Sequence, residues 1–499
     1  MALTQGKRSV TYSECALRAQ QCAARLHKAG IGRGDRVLVF VPMSIELYTL
    51  LLGIWHCGAS AVFLDAWARK KRLEQAASIA ECKAFVGTAR AHILRLFSAE
   101  ISKIPIKLSA GFLKKSSMPA DVPEVAALSG DTVALITFTT GSTGTPKAAK
   151  RTHAFLQAQH EVLTDHLQPQ DSDIDMVTLP VFVLTNIAAG ITSYIPPFNP
   201  AAPEKVDPVK LYRGMVENRV STSAGSPIIY QKLAEYCISR NREIPTLRKI
   251  FLGGAPVFPQ TAALLMKAFP HAAVEIVFGS TEAEPISAIR AEELVKGNQS
   301  VATEGLLVGK PIDAVSVYII RIIDGPVAVE SEEQFNELIL PRGEVGEICV
   351  YGKHVLKEYF RNDEAQKLNK IIVNDTVVHR TGDAGYIDDE NNLYLMGRMK
   401  QRFICNGTRQ YLFPLEASLS TINGVRTGTY LVIDNSLLAV VEPEKKTLDE
   451  KNIQDYCRKK SMPVPDRVLF MKIPRDPRHN SKIDYGLLTH RIQRLRKYR

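Results

Sequence analysis

The sequence predicts an α/β protein in which a large N-terminal domain, made of two doubly wound α/β subdomains plus a small β barrel, precedes a smaller, mobile α+β C-terminal domain. Three observations support this prediction. Continuous apolar segments alternate with amphipathic segments of helical period early in the chain, which is typical of parallel sheets covered on both faces. Short strand patterns with glycine and acidic turns replace them from about residue 311 to about residue 395. Finally, 499 residues exceed what one hydrophobic core usually organises.

Local signals predict the first elements. Thr11 and Glu14 fit a capping box, and apolar residues then recur at helical spacing from Cys15 to Leu26. This pattern predicts an amphipathic helix, and a second helix is predicted from about Ser44. Buried strands of a parallel sheet are predicted at the continuous apolar segments VLVFV, AVFLD, KAFVG and VALITF.

A second set of α/β units is predicted from about residue 152 to about residue 310. Its helices are AFLQAQHEVL, VKLYRGMVE, PIIYQKLAEY and TAALLMKAF, and its strands are MVTLP, STSAG, KIFLGG and VEIVFG. The segments VSVYII, GEICVYG and NLYLMG then predict a small β barrel or a distorted sheet. After GRMKQRF, the strands TGTYLVI and LLAVVE and a basic helical end predict the last domain. The predicted domains are therefore residues 1–398 and 399–499.

Composition and charge limit the classes of function. Hydrophobic residues make up 45% of the chain and charged residues 23%, as in an ordinary soluble globular protein. The net charge of +11 favours polyanionic ligands, but no nucleic-acid motif accompanies it, so nucleic-acid binding is not predicted. The eight cysteines show no CxxC pattern and no Cys/His pairing, which argues against a disulfide framework or a zinc site. A reducing cytoplasm is the predicted location.

Two segments without charged residues, 47–64 and 176–203, raise the question of a membrane span. The first is predicted as a helix, a turn and a buried strand. The second is interrupted by Pro180 and Pro196, which a lipid-exposed helix tolerates poorly. No transmembrane segment is therefore predicted, and residues 176–203 are expected to form the wall of an apolar pocket.

Residues 136–150, ITFTTGSTGTPKAAK, have the features of a phosphate-binding loop. Gly141 and Gly144 let backbone N–H groups converge on a phosphate, and Lys147 supplies positive charge. A Walker A loop would have glycine at Pro146 and a hydroxyl in place of Ala148, which excludes the class of P-loop NTPases. Taken alone, a stretch of this composition is more often a surface loop. Its hydroxyl donors are Thr139, Thr140, Ser142, Thr143 and Thr145.

The order TTGSTGTPK resembles the phosphate loop of the adenylate-forming superfamily, which includes acyl-CoA synthetases, adenylation domains and luciferases. Five further segments resemble motifs of this superfamily and follow its order over nearly the whole chain. They are GGAPV at 253–257, FGSTE at 278–282, HRTGDAGYID around Asp383, GRMKQR from Gly397 and HNSKID around Lys482. Six matches in the order of the superfamily's motifs are not expected by chance.

The resemblance implies a site that uses ATP and Mg²⁺. Glu282 would coordinate Mg²⁺, Thr281 would contact the α-phosphate, and Lys482 would bridge the carboxylate substrate and ATP. These three residues are predicted as catalytic, because a carboxylate that attacks a phosphate brings together negative charges that donors and cations must neutralise. Asp383 would accept hydrogen bonds from the ribose hydroxyls, and Arg398 would donate to ribose or phosphate. The other residues that the resemblance assigns to nucleotide binding are Thr139, Thr140, Gly141, Ser142, Thr143, Gly144, Lys147, Gly254, Ala255, Pro256, Phe278 and Gly279.

The second half of the reaction distinguishes the branches of this superfamily. In acyl-CoA synthetases the small domain rotates about a hinge, here predicted at Lys400, to form a thioester site. The family often has lysines in the strand and turn after the hinge, where this chain has Ile404 and Asn406. Ser481 replaces the glycine of the usual Gly-Lys pair, and LPVFVLTN replaces a proline-x-phenylalanine-histidine pattern. These departures argue against thioester formation.

Four segments of the chain resemble one branch of the superfamily, the β-lactone synthetases of bacterial olefin biosynthesis. They are RHNSKI, GRMKQR, ITSYIPP and FLDAWARKKRL. This resemblance implies that ATP activates a 3-hydroxy carboxylic acid as acyl-AMP, whose own hydroxyl then closes a β-lactone. It also implies thiolase-like and reductase enzymes as partners. A fatty acyl-CoA ligase, which shares every adenylation residue, and a loader of acyl carrier proteins stay open as alternatives. A silent nucleotide-binding or basic scaffold would not need both Glu282 and Lys482.

Overall fold

The computed structural model describes residues 1–64, 70–114, 122–139, 146–200, 202–297, 300–444, 448–475 and 483–497. The helices and strands up to residue 152 are, in chain order, β1 Leu3–Gln5, β2 Arg8–Val10, α1 Tyr12–Lys28, β3 Arg36–Phe40, α2 Ile45–His56, β4 Ser60–Phe63, α3 Lys70–Ala80, β5 Ala84–Gly87, α4 Ala89–Arg95, α5 Ala99–Lys103, β6 Ile106–Ser109, β7 Val133–Thr139 and β8 Lys147–Thr152.

The first sheet has the strand order β6-β5-β3-β4-β7-β8, and its pairs are parallel except for β7 with β8. The predicted strands and both predicted helices are confirmed. Thr11 caps α1 through the expected capping box with Glu14, and the side chain of Ser44 caps α2 by accepting from the Leu47 backbone N–H. Strand β7 runs to the carboxyl edge of the sheet, so the predicted phosphate loop begins at that edge.

The second sheet is built mainly from the following part of the chain, whose elements are α6 His153–Leu167, β9 Ile174–Val177, α7 Pro180–Ala189, β10 Thr192–Tyr194, α8 Pro208–Glu217, β11 Thr222–Gly225, α9 Pro227–Arg240, β12 Lys249–Leu252, α10 Pro259–Ala268, β13 Ala273–Ser280, β14 Ala283–Arg290, α11 Ala291–Gly297, α12 Val301–Glu304, β15 Leu306–Leu307 and β16 Lys310–Pro311. Its order is β16-β14-β13-β12-β11-β9-β10-β1-β2. The first two strands of the chain therefore extend the second sheet, a long-range pairing that local patterns do not indicate.

The uncharged segment from residue 176 forms the end of β9, then α7 and β10. Phe182 and Val183 of α7 are buried in the core that also contains α1 and α2. Among the residues that the structure describes, no helix combines the length and the apolar character needed to cross a bilayer. The expectation that this segment lines an apolar pocket stays a prediction.

The remaining elements are β17 Ser316–Ile320, α13 Glu332–Asn336, β18 Gly346–Tyr351, α14 Asp363–Asn369, β19 Lys370–Val373, β20 Thr376–Ile387, β21 Leu393–Arg398, β22 Phe403–Cys405, β23 Thr408–Gln410, α15 Leu412–Ser420, β24 Val425–Ile433, β25 Ser436–Pro443, α16 Glu450–Lys459, β26 Arg467–Phe470 and α17 Tyr485–Lys497. Short 3-10 turns are Ala110–Lys114, Pro203–Lys205 and Met399–Gln401.

The third sheet has the order β15-β21-β20-β18-β17, with β19 also paired to β20. The described hydrogen-bonded path is open, since its end strands β15 and β17 do not pair, so the alternative of a distorted sheet describes it better than a closed barrel. The predicted domain boundary falls where β21 ends at Arg398. Beyond it, α15 contacts α12 and β21, and β24, β25 and β26 form a separate sheet. Independent movement of this last part stays a prediction.

The segment between β18 and α14 joins the first sheet to the second. Tyr359 forms an antiparallel bridge with Ala149 of β8, and Val355 forms one with Ala283 of β14. The backbone N–H of Leu356 also donates to the carbonyl oxygen at Glu282, 2.7 Å away. These contacts place the start of β8, which follows the predicted phosphate loop, beside the turn between β13 and β14.

Candidate active site

The predicted site residues that the structure describes lie mainly at strand ends. Lys147 begins β8, and Gly254 follows β12, with Ala255 and Pro256 next to it. Phe278 and Gly279 lie in β13, Thr281 and Glu282 form the turn before β14, Asp383 lies in β20, and Arg398 ends β21. Thr139 ends β7. Thr140, Gly141, Ser142, Thr143, Gly144 and Lys482 lie outside the described residues.

Glu282 accepts a hydrogen bond from a buried tyrosine. The Tyr359 hydroxyl donates to Glu282 Oε1 over 2.9 Å, and Tyr359 is only 3% exposed. Two ammonium groups lie over the ring of this tyrosine, because Lys147 Nζ is 5.6 Å and Lys370 Nζ is 5.4 Å from the ring centroid. Lys147 Nζ also donates to Asn369 Oδ1 at 2.7 Å. The carboxylate, the phenol and the two lysines therefore form one cluster, which we call the Glu282 cluster.

The cluster keeps Glu282 ionised. Burial raises the pKa of this carboxyl, but the charges of Lys370 and Lys147 and the Tyr359 hydrogen bond outweigh that effect, so the pKa lies below its ordinary value. Burial, opposed by the charge of Glu282 and reinforced by that of Lys147, lowers the pKa of Lys370 to about 7. The ionised carboxylate is the form of the acid that binds a metal cation.

His379 belongs to the inner side of the cluster. Burial and the neighbouring Lys370 lower the pKa of His379 to about 3, so the imidazole is neutral near pH 7. Its Nδ1 lies 3.1 Å from the carbonyl oxygen of Asn369, and this acceptor favours the tautomer with the proton on Nδ1. Lys370 itself is 3% exposed and donates to the carbonyl oxygen of Leu356. Both side chains therefore support the cluster from within the protein.

The turn that carries Thr281 and Glu282 is held on several sides. Arg151 Nη2 donates to the carbonyl oxygen of Thr281 over 3.0 Å, and Arg151 is buried. The backbone N–H of Glu282 donates to Ser280 Oγ over 3.2 Å. A Cβ atom on Gly279 would lie 2.9 Å from the carbonyl oxygen of Ala283, which explains the need for glycine at this position. The position of the Glu282 backbone is therefore set before any ligand binds.

Asp383 and Arg398 face each other across neighbouring strands. They are register partners in β20 and β21, and Arg398 Nε lies 3.1 Å from Asp383 Oδ1. The Asp383 backbone N–H donates to Thr381 Oγ1, and Arg398 Nη1 donates to the carbonyl oxygen of Thr381, each over 3.1 Å. The arginine side chain is 46% exposed and the aspartate 14%. The pair thus offers solvent both an acceptor and donors for a polar ligand such as a ribose.

Sequence reasoning missed several residues that shape this region. Tyr359, Lys370 and His379 were not predicted, although His379 begins the quoted motif HRTGDAGYID. Arg380 of the same motif makes a buried ion pair with Glu347, with Nε 2.8 Å from Oε2. Burial raises the pKa of Glu347 despite this partner. The missed partners are distant in the sequence, so only the motif's unusual run of His and Arg could have drawn attention to them.

The donor set fits the groups that the sequence implies. Mg²⁺ usually keeps several waters and takes one or two carboxylates together with substrate phosphates. Glu282 is an ionised carboxylate beside Lys147, and the described residues contain no cluster of three or more His, Cys, Asp and Glu that would form an all-protein cage. Gly254 has φ +81°, a conformation that favours glycine. Glu282 would hold the metal, which would neutralise charge on a phosphate.

The fold and this arrangement are those of an AMP-forming ligase. The family of AMP-binding enzymes matches residues 1–360, and the chain belongs to this family. It is 30% identical over 502 residues to an olefin β-lactone synthetase of Stenotrophomonas maltophilia, covering 95% of this chain and 90% of the relative. It is 25% identical over 482 residues to a long-chain-fatty-acid–CoA ligase of Mycobacterium tuberculosis, covering 94% and 90%.

The solved structures confirm the fold. The structure of O-succinylbenzoate coenzyme A synthetase from Bacillus subtilis in complex with AMP superposes with a TM-score of 0.81 at 19% identity. The match covers 98% of this chain and 95% of that chain. The predicted α/β architecture, with a large N-terminal part and a smaller C-terminal part, is therefore confirmed.

Proposed function

We propose that the protein activates a 3-hydroxy carboxylic acid with ATP and converts the resulting acyl-AMP into a β-lactone. In the first step a carboxylate oxygen attacks the α-phosphorus of ATP, and the bond to pyrophosphate breaks. In the second step the 3-hydroxyl oxygen bonds to the activated carbonyl carbon, its proton is released, and AMP leaves. The substrate class favoured is a long-chain acid, because the segment 176–203 is uncharged and suited to an alkyl chain.

The roles proposed for the side chains are those that the family motifs imply. Glu282 would hold Mg²⁺, which would neutralise phosphate charge, Thr281 would contact the α-phosphate, and Lys147 with the predicted loop 139–144 would hold the other phosphates. Asp383 accepts from the ribose hydroxyls, and Arg398, whose Nε lies 3.1 Å from Asp383 Oδ1, donates to ribose or phosphate. The adenine lies against residues 254–256 and 278–279. Lys482 bridges the carboxylate and ATP oxygens, and movement about Lys400 brings it into place.

The observation that carries the lactone step is the similarity to an olefin β-lactone synthetase over 95% of the chain. The hairpin of β22 and β23 supports it. Ile404, where the family often has a lysine, is 74% exposed and offers solvent an apolar side chain. Ile404 itself offers no charge to a phosphate-rich thiol substrate, and the cation opposite it in the hairpin is Arg409 rather than a lysine. A 3-hydroxyl group held beside the activated carbonyl needs no second substrate, because its effective concentration is high.

A fatty acyl-CoA ligase is the second candidate. It is favoured by the 25% identity to a long-chain-fatty-acid–CoA ligase over 94% of this chain. Both candidates share the first step, so they differ only in what attacks acyl-AMP. Location in the cytoplasm is part of either proposal, and the eight cysteines, all free, suit a reducing compartment. Association with thiolase-like and reductase enzymes stays a prediction.

The experiment that separates the candidates uses three acids: a long-chain 3-hydroxy acid, its 3-methoxy analogue and the unsubstituted acid. Each is incubated with the purified protein, ATP and Mg²⁺, with and without coenzyme A. We expect the 3-hydroxy acid alone to give AMP and a product lighter than the acid by one water, without coenzyme A. The two other acids should stop at acyl-AMP, which hydroxylamine traps. AMP release that requires coenzyme A and yields a thioester would overturn the lactone proposal.

A further inference from the structure

A group of four large apolar side chains is exposed on the first α/β subdomain. Ile93 is 58% exposed, Leu94 63%, Leu96 68% and Phe97 68%. They lie at the end of α4 and in the turn after it, within five consecutive residues. We call these four side chains the apolar tip. Single exposed apolar residues are ordinary on protein surfaces, but a contiguous group of this kind marks a site of interaction.

The apolar tip stands on a well-anchored helix. The side chain of Thr88 caps α4 by accepting from the Ala91 backbone N–H, and Ala91 is buried. The ring of His92 packs edge-on against Phe85 at 5.1 Å, and its Nε2 lies 3.1 Å from the carbonyl oxygen of Leu108. The inward side of the helix is therefore fully used in packing, and the four apolar side chains are left on the outward side.

The chain on both sides of the tip carries an excess of basic residues. The sequence from residue 83 to residue 114 contains one acid, Glu100, and six basic residues, Lys83, Arg90, Arg95, Lys103, Lys107 and Lys114. Lys83 pairs with Asp35 over 2.8 Å and Lys103 with Glu100 over 2.6 Å, so the excess of positive charge comes from the other basic residues. Arg90 and Lys107 are exposed. The Glu74 carboxylate of the neighbouring helix accepts from the backbone N–H groups of Ala99 and Glu100, at 3.1 and 2.9 Å, so this acid is engaged in capping α5. An anionic surface is thus the electrostatic complement of this region.

We propose that the apolar tip inserts into the interface of an anionic phospholipid bilayer while the surrounding cations contact the lipid headgroups. Apolar side chains next to Lys and Arg are the combination that binds such interfaces, since burial and charge attraction add. A protein partner fits less well, because a stable protein interface uses about 20–30 residues on each side and the tip offers four side chains. Insertion into a bilayer does not require a partner surface with a shape complementary to the tip.

The insertion would give the enzyme access to a long-chain acid dissolved in the membrane, and this use rests on the proposed function. Binding to the bilayer does not rest on it. Vesicle binding that persists in a protein unable to make a lactone would refute the proposed function alone. A protein that forms a lactone from a water-soluble short-chain acid but does not bind vesicles would refute the membrane proposal alone.

The test is co-sedimentation of the full chain with vesicles of phosphatidylcholine and phosphatidylglycerol. Leu94→Ser combined with Phe97→Ser should weaken partitioning about tenfold or more, because both variants remove exposed apolar surface only. The matched control is Val432→Ser, whose side chain is 50% exposed elsewhere on the surface and should bind as the wild type does. Activity of all variants on a short-chain acid should stay unchanged, which shows that they are folded.

A second pair of changes tests the charges. Arg90→Glu with Lys107→Glu should weaken binding to vesicles that contain phosphatidylglycerol, and the remaining binding should lose its salt dependence. The proposal is overturned if the Leu94→Ser and Phe97→Ser variant sediments with vesicles as the wild type does. It is also overturned if the wild type is a dimer in gel filtration that the same two changes convert into monomers, because the tip would then join two copies of the chain.

Discussion

Two partly buried glutamates each accept a hydrogen bond from a tyrosine hydroxyl, yet their pKa values shift in opposite directions. One is Glu282 in the N-terminal part, and the other is Glu416 in the C-terminal part. Tyr359 donates to Glu282, and Tyr485 donates to Glu416. The pKa of Glu282 lies below its ordinary value, whereas burial raises the pKa of Glu416 to about 7.

The neighbours explain the difference. Lys370 and Lys147 flank Tyr359 and offset the burial of Glu282. At Glu416 burial outweighs the hydrogen bonds from Thr429 and Tyr485 and the charge of Arg475. The same pair of residue types therefore gives an ionised acid suited to a metal in one place and a readily protonated structural acid in the other.

The two clusters also differ in what they hold. The Glu282 cluster joins the two α/β subdomains at the candidate active site. Glu416, Thr429, Tyr485 and Arg475, which we call the Glu416 cluster, include the last described residue before the segment that carries Lys482. Arg475 forms an antiparallel bridge with Ile483, and the Asp484 backbone N–H donates to the carbonyl oxygen of Pro474. The described ends of that segment are thus paired. Four variants test this contrast, in order of decreasing expected effect.

Glu282→Gln should have the largest effect. It keeps the acceptor for Tyr359 but removes the charge, so we expect acyl-AMP formation to fall about 10²–10³-fold with little change in melting temperature. Exchange of labelled pyrophosphate into ATP measures this step. The matched variant Glu416→Gln should retain most of its exchange activity. Equal losses in both variants would show that the two glutamates do not differ in role.

Lys482→Ala should reduce acyl-AMP formation from acid and ATP by about a hundredfold, because a cation that bridges the attacking carboxylate and the phosphate is lost. Lys472→Ala is the control, since Lys472 is an exposed lysine in the same predicted domain. Hydroxylamine trapping of the acyl-AMP gives the readout. An undiminished rate in Lys482→Ala would remove this lysine from the catalytic residues.

Tyr359→Phe should act more mildly and through the metal. Loss of the 2.9 Å hydrogen bond to an ionised acid should raise the Mg²⁺ concentration for half-maximal pyrophosphate exchange about tenfold. Tyr485→Phe removes the equivalent bond to Glu416 and should leave that concentration unchanged. If both variants shift the Mg²⁺ requirement alike, the effect comes from general loss of stability and the comparison fails.

Glu416→Gln should have the smallest effect on activity and a clear effect on the pH dependence of stability. Because the folded pKa of Glu416 is raised to about 7 from an ordinary value of 4.5, its contribution to stability is complete below about pH 4.5 and is lost as the pH rises through about 7. The variant should therefore be more stable than the wild type above pH 7, by up to about 3 kcal/mol. Urea unfolding at pH 5 and pH 8 measures this difference. A parallel pH dependence in both proteins would contradict the raised pKa.

Much of the fold was accessible from local patterns, and less of the site. The capping box of Thr11 with Glu14 and the cap at Ser44 predicted the starts of their helices, because a cap and its helix are neighbours in sequence. The pairing of β1 with β10 was not foreseen, since the two strands are far apart in the chain. The ribose and metal residues were predicted from motifs, but the Asp383 to Arg398 pair required the register of β20 and β21.

The sequence by itself determined the family and the order of the elements, because motifs, capping residues and hydrophobic period are local and survive without knowledge of the fold. Only the tertiary structure decided the chemistry at Glu282. Its partners Tyr359, Lys370 and His379 come from a later part of the chain, brought in by the bridges to β8 and β14. The charge state of an acid depends on its burial and on the charges and hydrogen-bond donors within a few ångströms, and the motif that contains the acid specifies neither.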